Sequence, residues 1–324
     1  MRREGGPMVN ERMKVLIAYD GSVYADAALD DLRRAGLPQD TEALIVSVSD
    51  SVFHPSSSIA EITGKAVTSR RLTSTVALLL QESERALDEA KEFAASAGWR
   101  LRSYFPDWEV RTEVIVGTPS QELVRRADEW KPDLVVVGSR GRSALGRFFL
   151  GSVSKTLAEE SQSSVRVARR TVRKNQDPPL RIMVGVDGTI GAEDAIRAVG
   201  VRVWSEGTEV RLVAVDDGSL PRRIADIDLV HAKSITIDNE GKAVNARVML
   251  DSAAVELGAI GLKVSVEIKE GEPLRTLIEE ANRWEADSIF VGARGFDDFS
   301  SMSGLGIVST GLVANAPCTV EIVR

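Results

Sequence analysis

Short unbroken runs of Val, Ile, Leu and Ala alternate along the chain with longer segments whose apolar residues recur every three or four positions. In the first half the unbroken runs predict strands near 14–20, 41–49, 108–116, 133–138 and 164–169. Continuous rather than alternating apolar character is expected of strands buried on both faces of a parallel sheet. Between them the pattern predicts helices over 22–35, 72–97, 119–131 and 151–161. In the second of these, Leu72, Val76, Leu79, Leu80, Leu87, Ala90, Ala94 and Ala97 fall on one face at helical spacing. Pro119, with Glu122 behind it, suits a first helical turn. Five strand–helix units predict an α/β fold with a doubly wound parallel sheet and a ligand site beyond the carboxyl ends of the strands.

The pattern occurs twice. VLIAYDGS (15–22) returns as IMVGVDGT (182–189), and ALIVSVSD (43–50) as VRLVAVDD (210–217), both at an offset of 167. VGTPSQELVRRADEWKPDLVVVGSRG (116–141) returns as EGEPLRTLIEEANRWEADSIFVGARG (270–295) at an offset of 154, so the second copy is 13 residues shorter between its second and third strands. Gly117/Gly271, Pro119/Pro273, Trp130/Trp284, Asp133/Asp287, Gly138/Gly292 and Gly141/Gly295 keep that offset together. Copies of this size are domains rather than solenoid repeats. The expected organisation is a loose tail at 1–12, a first domain at 13–170, a polar linker at 171–180 ending in Pro178–Pro179, and a second domain at 181–324.

Composition narrows the partners. Hydrophobic residues make up 43% and charged residues 27% of the 324, and the net charge is -7 with both signs interspersed. That balance argues against a general affinity for nucleic acid or an acidic membrane surface. A single cysteine, Cys318, excludes an intramolecular disulfide framework, suits a reducing cytoplasm, and is expected to pack near the last strand. No apolar run approaches a membrane span, and the first residues do not read as a signal peptide.

The candidate chemistry sits at three predicted strand ends of the first copy. Asp20, in Tyr19-Asp20-Gly21-Ser22, can accept hydrogen bonds from a base amino group or a sugar hydroxyl; Asp and Ser here equally suit a helix N-cap. The Ser47-Val48 backbone can meet a base edge, or simply end a buried strand. The third segment is Gly138-Ser139-Arg140-Gly141, then nine residues, then Gly151-Ser152-Val153-Ser154. Glycines let backbone amides approach an anion closely. A helix start adds free amides and its dipole, and Ser152 and Ser154 are candidate hydroxyl donors. Arg140, Arg142 and Arg147 give 138–151 a charge of +3. A glycine turn with solvated arginines is the plainer alternative, but the complete spacing favours a phosphate cradle.

The GSRG-(9)-GS spacing, the VLIAYDGS opening, the GTPSQEL helix start and the PDLVVVGSRG strand resemble the universal stress protein family, and the resemblance covers nearly the whole chain twice. It implies two five-stranded sheets of order 3-2-1-4-5, adenine nucleotide alpha hydrolase-like, whose final strands pair edge to edge as an internal pseudo-dimer. It also implies an ATP or AMP site, with ADP as a related ligand and Mg²⁺ arriving on the nucleotide. Base and ribose contacts would fall on Ala18, Asp20 and Val48. Phosphate contacts would fall on Gly138, Gly141, Gly151, Ser152, Val153 and Ser154, with Arg140 beside them. Ser47 stands where many relatives carry His.

The second copy keeps Asp187, Val215, Gly292 and Gly295, and Gly306 aligns with Gly151. Ile307 replaces Ser152, and Arg294 with Asp297 and Asp298 leaves 292–306 at -1. The second copy is therefore expected to bind ATP poorly. His54 and His231 are expected in surface loops, and no metal-ligand cluster stands out. Ser143, Ser152 and Ser154 lack a nearby His base, so no hydrolase triad is predicted. Segment 51–70 suits either a lid or a mobile loop. The expected function is a cytoplasmic adenine-nucleotide-binding stress or signalling module with a protein partner to be found. A slow ATPase, or a nucleotide-free scaffold for an apolar ligand, is the alternative; further homodimerisation stays open.

Overall fold

The structure, a computed structural model, describes residues 12–50, 70–142, 150–169, 179–217, 239–295 and 304–324, without the side chains of 70–76 and 239–248. Expectations for the tail before residue 12, most of the 171–180 linker, the 51–70 segment, His54, His231, Ser143, Arg147, Asp297 and Asp298 lie outside the described residues.

In the first half β1 (Met13–Ala18), α1 (Val23–Leu32), β2 (Thr41–Ser49), α2 (Arg70–Tyr104), β3 (Glu109–Val116), α3 (Pro119–Trp130), β4 (Leu134–Gly138), α4 (Ser152–Glu160) and β5 (Ser164–Ala168) follow one another. The second half repeats the order as β6 (Arg181–Val186), α5 (Ile190–Gly200), β7 (Glu209–Asp216), α6 (Asn239–Ala259), β8 (Lys263–Glu270), α7 (Pro273–Arg283), β9 (Ser288–Gly292), α8 (Ile307–Asn315) and β10 (Thr319–Val323). One element outruns its expected end. α2 continues past residue 97 to Tyr104 because Gly98 is not a stop. A Cβ there would lie 2.8 Å from Thr112 Cγ2, so the glycine lets the helix lie close on β3. Leu101, fully buried, prolongs the face of Ala90, Ala94 and Ala97.

The strand order is β3-β2-β1-β4-β5-β10-β9-β6-β7-β8. Each half has the expected 3-2-1-4-5 parallel arrangement, and the final strands pair edge to edge as expected, so that the two form one ten-stranded sheet. The antiparallel β5–β10 pair joins them, with Val320 opposite Val167, Glu321 opposite Arg166 and Ile322 opposite Val165. Alternation sends Val165, Val167, Val320 and Ile322 to a face where one continuous apolar core runs through both halves. On the opposite face each half has its own core.

Between those two cores lies a buried ion cluster. Arg166 Nε donates to Asp31 Oδ2 of α1 at 2.6 Å, and Arg166 Nη1 donates to Glu321 Oε2 at 2.9 Å. Arg202 donates to both oxygens of Glu321 and, at 2.9 Å, to the Ala35 carbonyl. Burial disfavours both guanidinium charges. For Arg166 the carboxylates of Asp31 and Glu321 outweigh it and raise the pKa above the ordinary arginine value. For Arg202 burial wins over Glu321, helped by repulsion from Arg166, and the pKa is lowered.

Candidate functional site

A cleft of about 710 Å³ opens at the carboxyl ends of β1, β2 and β4, a volume usual for small-molecule sites. All ten first-half candidates border it: Ala18, Asp20, Val48, Gly138, Arg140, Gly141, Gly151, Ser152, Val153 and Ser154.

The two glycine turns face each other. Gly151 N donates to Ser139 O at 2.9 Å, drawing the start of α4 against the end of β4. A Cβ on Gly151 would lie 3.1 Å from Arg140 Cα and 3.5 Å from Gly141 N, so it would intrude on the gap between the turns. The first intrahelical bond of α4 is Lys155 N to Gly151 O, which leaves the amides of Ser152, Val153 and Ser154 ahead of the ladder. Such amides are donors suited to an anion.

Several side chains do something other than expected. Asp20 is not the helix cap. Ser22 is, its Oγ accepting from Ala25 N at 3.1 Å. Asp20 instead accepts from Ser22 N at 3.0 Å through one oxygen and from Arg142 N at 3.2 Å through the other, fastening the β1 end to the glycine loop. Ser154 Oγ donates to Gly138 O at 2.6 Å and is buried, so its hydroxyl serves the fold and only its backbone amide is placed for a ligand. Gly138 is required by packing: a Cβ there would stand 2.6 Å from the Tyr24 carbonyl carbon and oxygen in α1. Arg140 lies over the Tyr24 ring, 5.4 Å from its centroid, and donates to the Tyr24 hydroxyl at 3.1 Å. Ser47 borders the cleft and its Oγ donates to Tyr19 O at 2.7 Å, in keeping with a side chain that need not face a ligand.

The +3 charge read from the loop is offset by groups remote in sequence. Arg142 pairs with Glu89 of α2 at 3.2 Å and lies over Phe93, and Glu89 and Asp50 border the cleft with Asp20. Ser49, Thr118, Ser120, Leu123 and Leu150 also line it without having been singled out. Ser49 and Thr118 adjoin Val48 and Pro119, so neighbourhood to those motifs was the available signal. Glu89 and Phe93 carried none, because a helical face does not announce which strand ends it will cover.

The second half keeps the backbone geometry. Gly306 N donates to Ala293 O at 2.9 Å, Ser309 Oγ donates to Gly292 O at 2.7 Å, and a Cβ on Gly295 would lie 3.0 Å from Asp187 Oδ2, as one on Gly141 would from Asp20 Oδ2. Asp187 Oδ1 accepts from Thr189 N at 3.0 Å. Val215 is half-buried at the end of β7. The copies therefore differ in side chains: Ile307 for Ser152, Asp216 for Ser49 and Glu272 for Thr118.

Among the described residues no group of three or more His, Cys, Asp or Glu side chains is placed to hold a metal ion, and no helix is long and apolar enough to cross a membrane. Comparison with known proteins finds the model of the Universal stress protein family matching residues 11–169 and again 180–324. A universal stress protein of Mycolicibacterium smegmatis is 23% identical over 312 residues, 96% of either chain. A shorter one from Bacillus subtilis is 30% identical over 156 residues, 48% of this chain and 98% of its own length. A solved universal stress protein from Archaeoglobus fulgidus superposes with a TM-score of 0.59 at 19% identity, covering 96% of this chain and 98% of that one, a likeness of fold.

Proposed function

Since the chain belongs to the universal stress protein family, matched over both of its halves, we propose that its first domain binds an adenine nucleotide. ATP is the leading ligand, with AMP and ADP beside it, and the protein acts as a cytoplasmic stress-response or signalling module. The observation that carries this reading is the convergence of two glycine turns and the β1 and β2 ends on one cleft. Two features of this chain fit such a ligand. The space between the turns is one that a Cβ at Gly151 would invade. Ser49 Oγ, at the other end of the cleft, is buried without a hydrogen-bond partner.

In this reading Gly141, Gly151 and the amides of Ser152, Val153 and Ser154 hold the phosphates, with Arg140 alongside. Ala18, Asp20 and Val48 take ribose and base. Mg²⁺ would arrive with the nucleotide and shield its charge. Occupancy would stabilise the first domain by mass action and present an altered surface to a protein partner. The second domain binds more weakly, because Ile307 brings no hydroxyl and Asp216 and Glu272 place carboxylates where the first domain has Ser49 and Thr118.

Mass spectrometry of small molecules released by denaturing the purified full chain, with calorimetry for ATP, tests the proposal. Expected are a released adenine nucleotide, one equivalent of ATP bound per chain, and loss of binding in Gly151→Val. Release of lipid or of nothing, together with no heat on adding ATP, would overturn it. Two equivalents of equal affinity would overturn the ranking of the domains.

A further inference from the structure

The axis that relates the two halves runs through a set of unlike residues. Arg166 and Glu321 hold the same place in their halves, and they also lie opposite each other across the β5–β10 pair. Arg202 and Ala35 share the 167-residue offset of the repeat and touch, Arg202 Nη1 donating to the Ala35 carbonyl at 2.9 Å. Next along, Val203 N donates to Gly36 O at 2.8 Å, and Gly36 and Val203 are again equivalent. Gly36 has a φ of +65° and receives Trp204, whose ring a Cβ would approach to 2.7 Å. Leu37 is the counterpart of Trp204. Asp31, which Arg166 also binds, has Ala198 as its counterpart.

At each place one half supplies what the other lacks. Two first halves in the same register would set Arg166 against Arg166, with Ala35 and Leu37 where Arg202 and Trp204 now stand. The arginines would keep Asp31, lose Glu321, and face open space around the axis. Two second halves would set Glu321 against Glu321 and put Val203 in the place of Gly36, against Trp204. Like charges opposite each other in a sheet are destabilising, and a buried pair deprived of one partner is more so. An emptied or overfilled contact adds to the effect. Arg166 and Glu321 are each 1% exposed, so salt and solvent do little to soften either arrangement.

We propose that this seam is a selective recognition surface that accepts only an unlike half. β5 and the end of α1 fit a final strand with a carboxylate at its centre and an arginine and a tryptophan beside it. The second half of this chain presents that surface, and a second copy of the first half does not. Discrimination comes from repulsion of the wrong partner as well as attraction of the right one. Copies of the chain therefore do not associate like with like through these strands.

The full chain, folded and then nicked at a protease site inserted after Lys174, supplies both halves in their native pairing. Isotope-labelled and unlabelled nicked proteins are mixed at a urea concentration where the halves exchange, returned to buffer and weighed by native mass spectrometry. Expected are mixed-label pairs of first half with second half, exceeding like pairs by roughly a hundredfold or more, the scale of a buried pair broken on one side. A random distribution of like and unlike pairs overturns the proposal, and so do halves that part without pairing again. Arg202→Ala with Glu321→Arg gives the second half the two residues of the first and is expected to reduce the preference about tenfold or more. Trp204→Leu, which leaves the charges alone, is expected to reduce it less. A cluster with a merely structural role would lower the Tm of these variants and leave the preference unmoved. Unchanged preference in both variants overturns the assignment.

Discussion

The cluster at the β5–β10 seam allows a sharp test of how the halves are joined. Arg166 and Glu321 lie opposite each other across the antiparallel pair and are each 1% exposed. With Asp31 and Arg202 they make a neutral set of two cations and two anions. Glu321→Gln keeps shape and removes one negative charge. Arg166 retains Asp31 at 2.6 Å, but Arg202 is left with the Ala35 carbonyl and an amide that can turn only one acceptor toward two guanidinium groups. Breaking a buried pair on one side costs about 3–5 kcal/mol. For a chain of this size that lowers Tm by roughly 4–7 °C. Glu129→Gln is the control. It is the same chemical change at a pair with Arg125 in which both side chains are half exposed, and exposed pairs contribute about 1 kcal/mol or less. Calorimetry and urea unfolding of both variants decide the matter. If Glu321→Gln costs no more than Glu129→Gln, the cluster does not hold the seam and the reasoning fails.

Gly138→Ala should cost about 1–3 kcal/mol with or without ligand, because its Cβ meets the α1 backbone. Gly292→Ala, facing the Gly191 backbone at 2.7 Å, should match it in thermal melts. Each half also clamps the other's last helix. Arg169 donates to Val313 O and Ala314 O of α8, and Arg324 donates to Ala158 O of α4 and to Ser163 O. Arg169→Ala and Arg324→Ala should therefore each cost about 1–2 kcal/mol in urea unfolding, and a loss confined to one of them would break the symmetry argument. Burial, then the charge of Asp287, pushes the Cys318 thiol up to about 12. The native protein should resist alkylation at pH 8 and react once unfolded. The unfolded thiol ionises near pH 9 while the folded one stays protonated, so this contribution is intact below pH 9 and declines as pH rises toward 12. A thiol titrating near 9 in the native state would contradict this.

The sequence by itself determined the two-fold repeat, the parallel five-strand units and the strand-end location of the cleft. These follow from periodicity and from glycine, proline and aspartate at fixed offsets, which act over a few residues and need no knowledge of partners. It placed ten residues around one cavity because six lie within three positions of a strand's carboxyl end and the other four open the helix that follows β4. Tertiary structure decided what those residues do. Ser154 spends its hydroxyl on Gly138, Asp20 fastens two loops, and Glu89, 53 residues away from Arg142 in sequence, offsets part of the loop's charge. Likewise Arg166 and Glu321 stand at equivalent places of the repeat, yet only the antiparallel seam brings the opposite charges together. Hydrogen bonds and ion pairs of this kind depend on distances set when remote segments pack, and linear spacing carries no record of them.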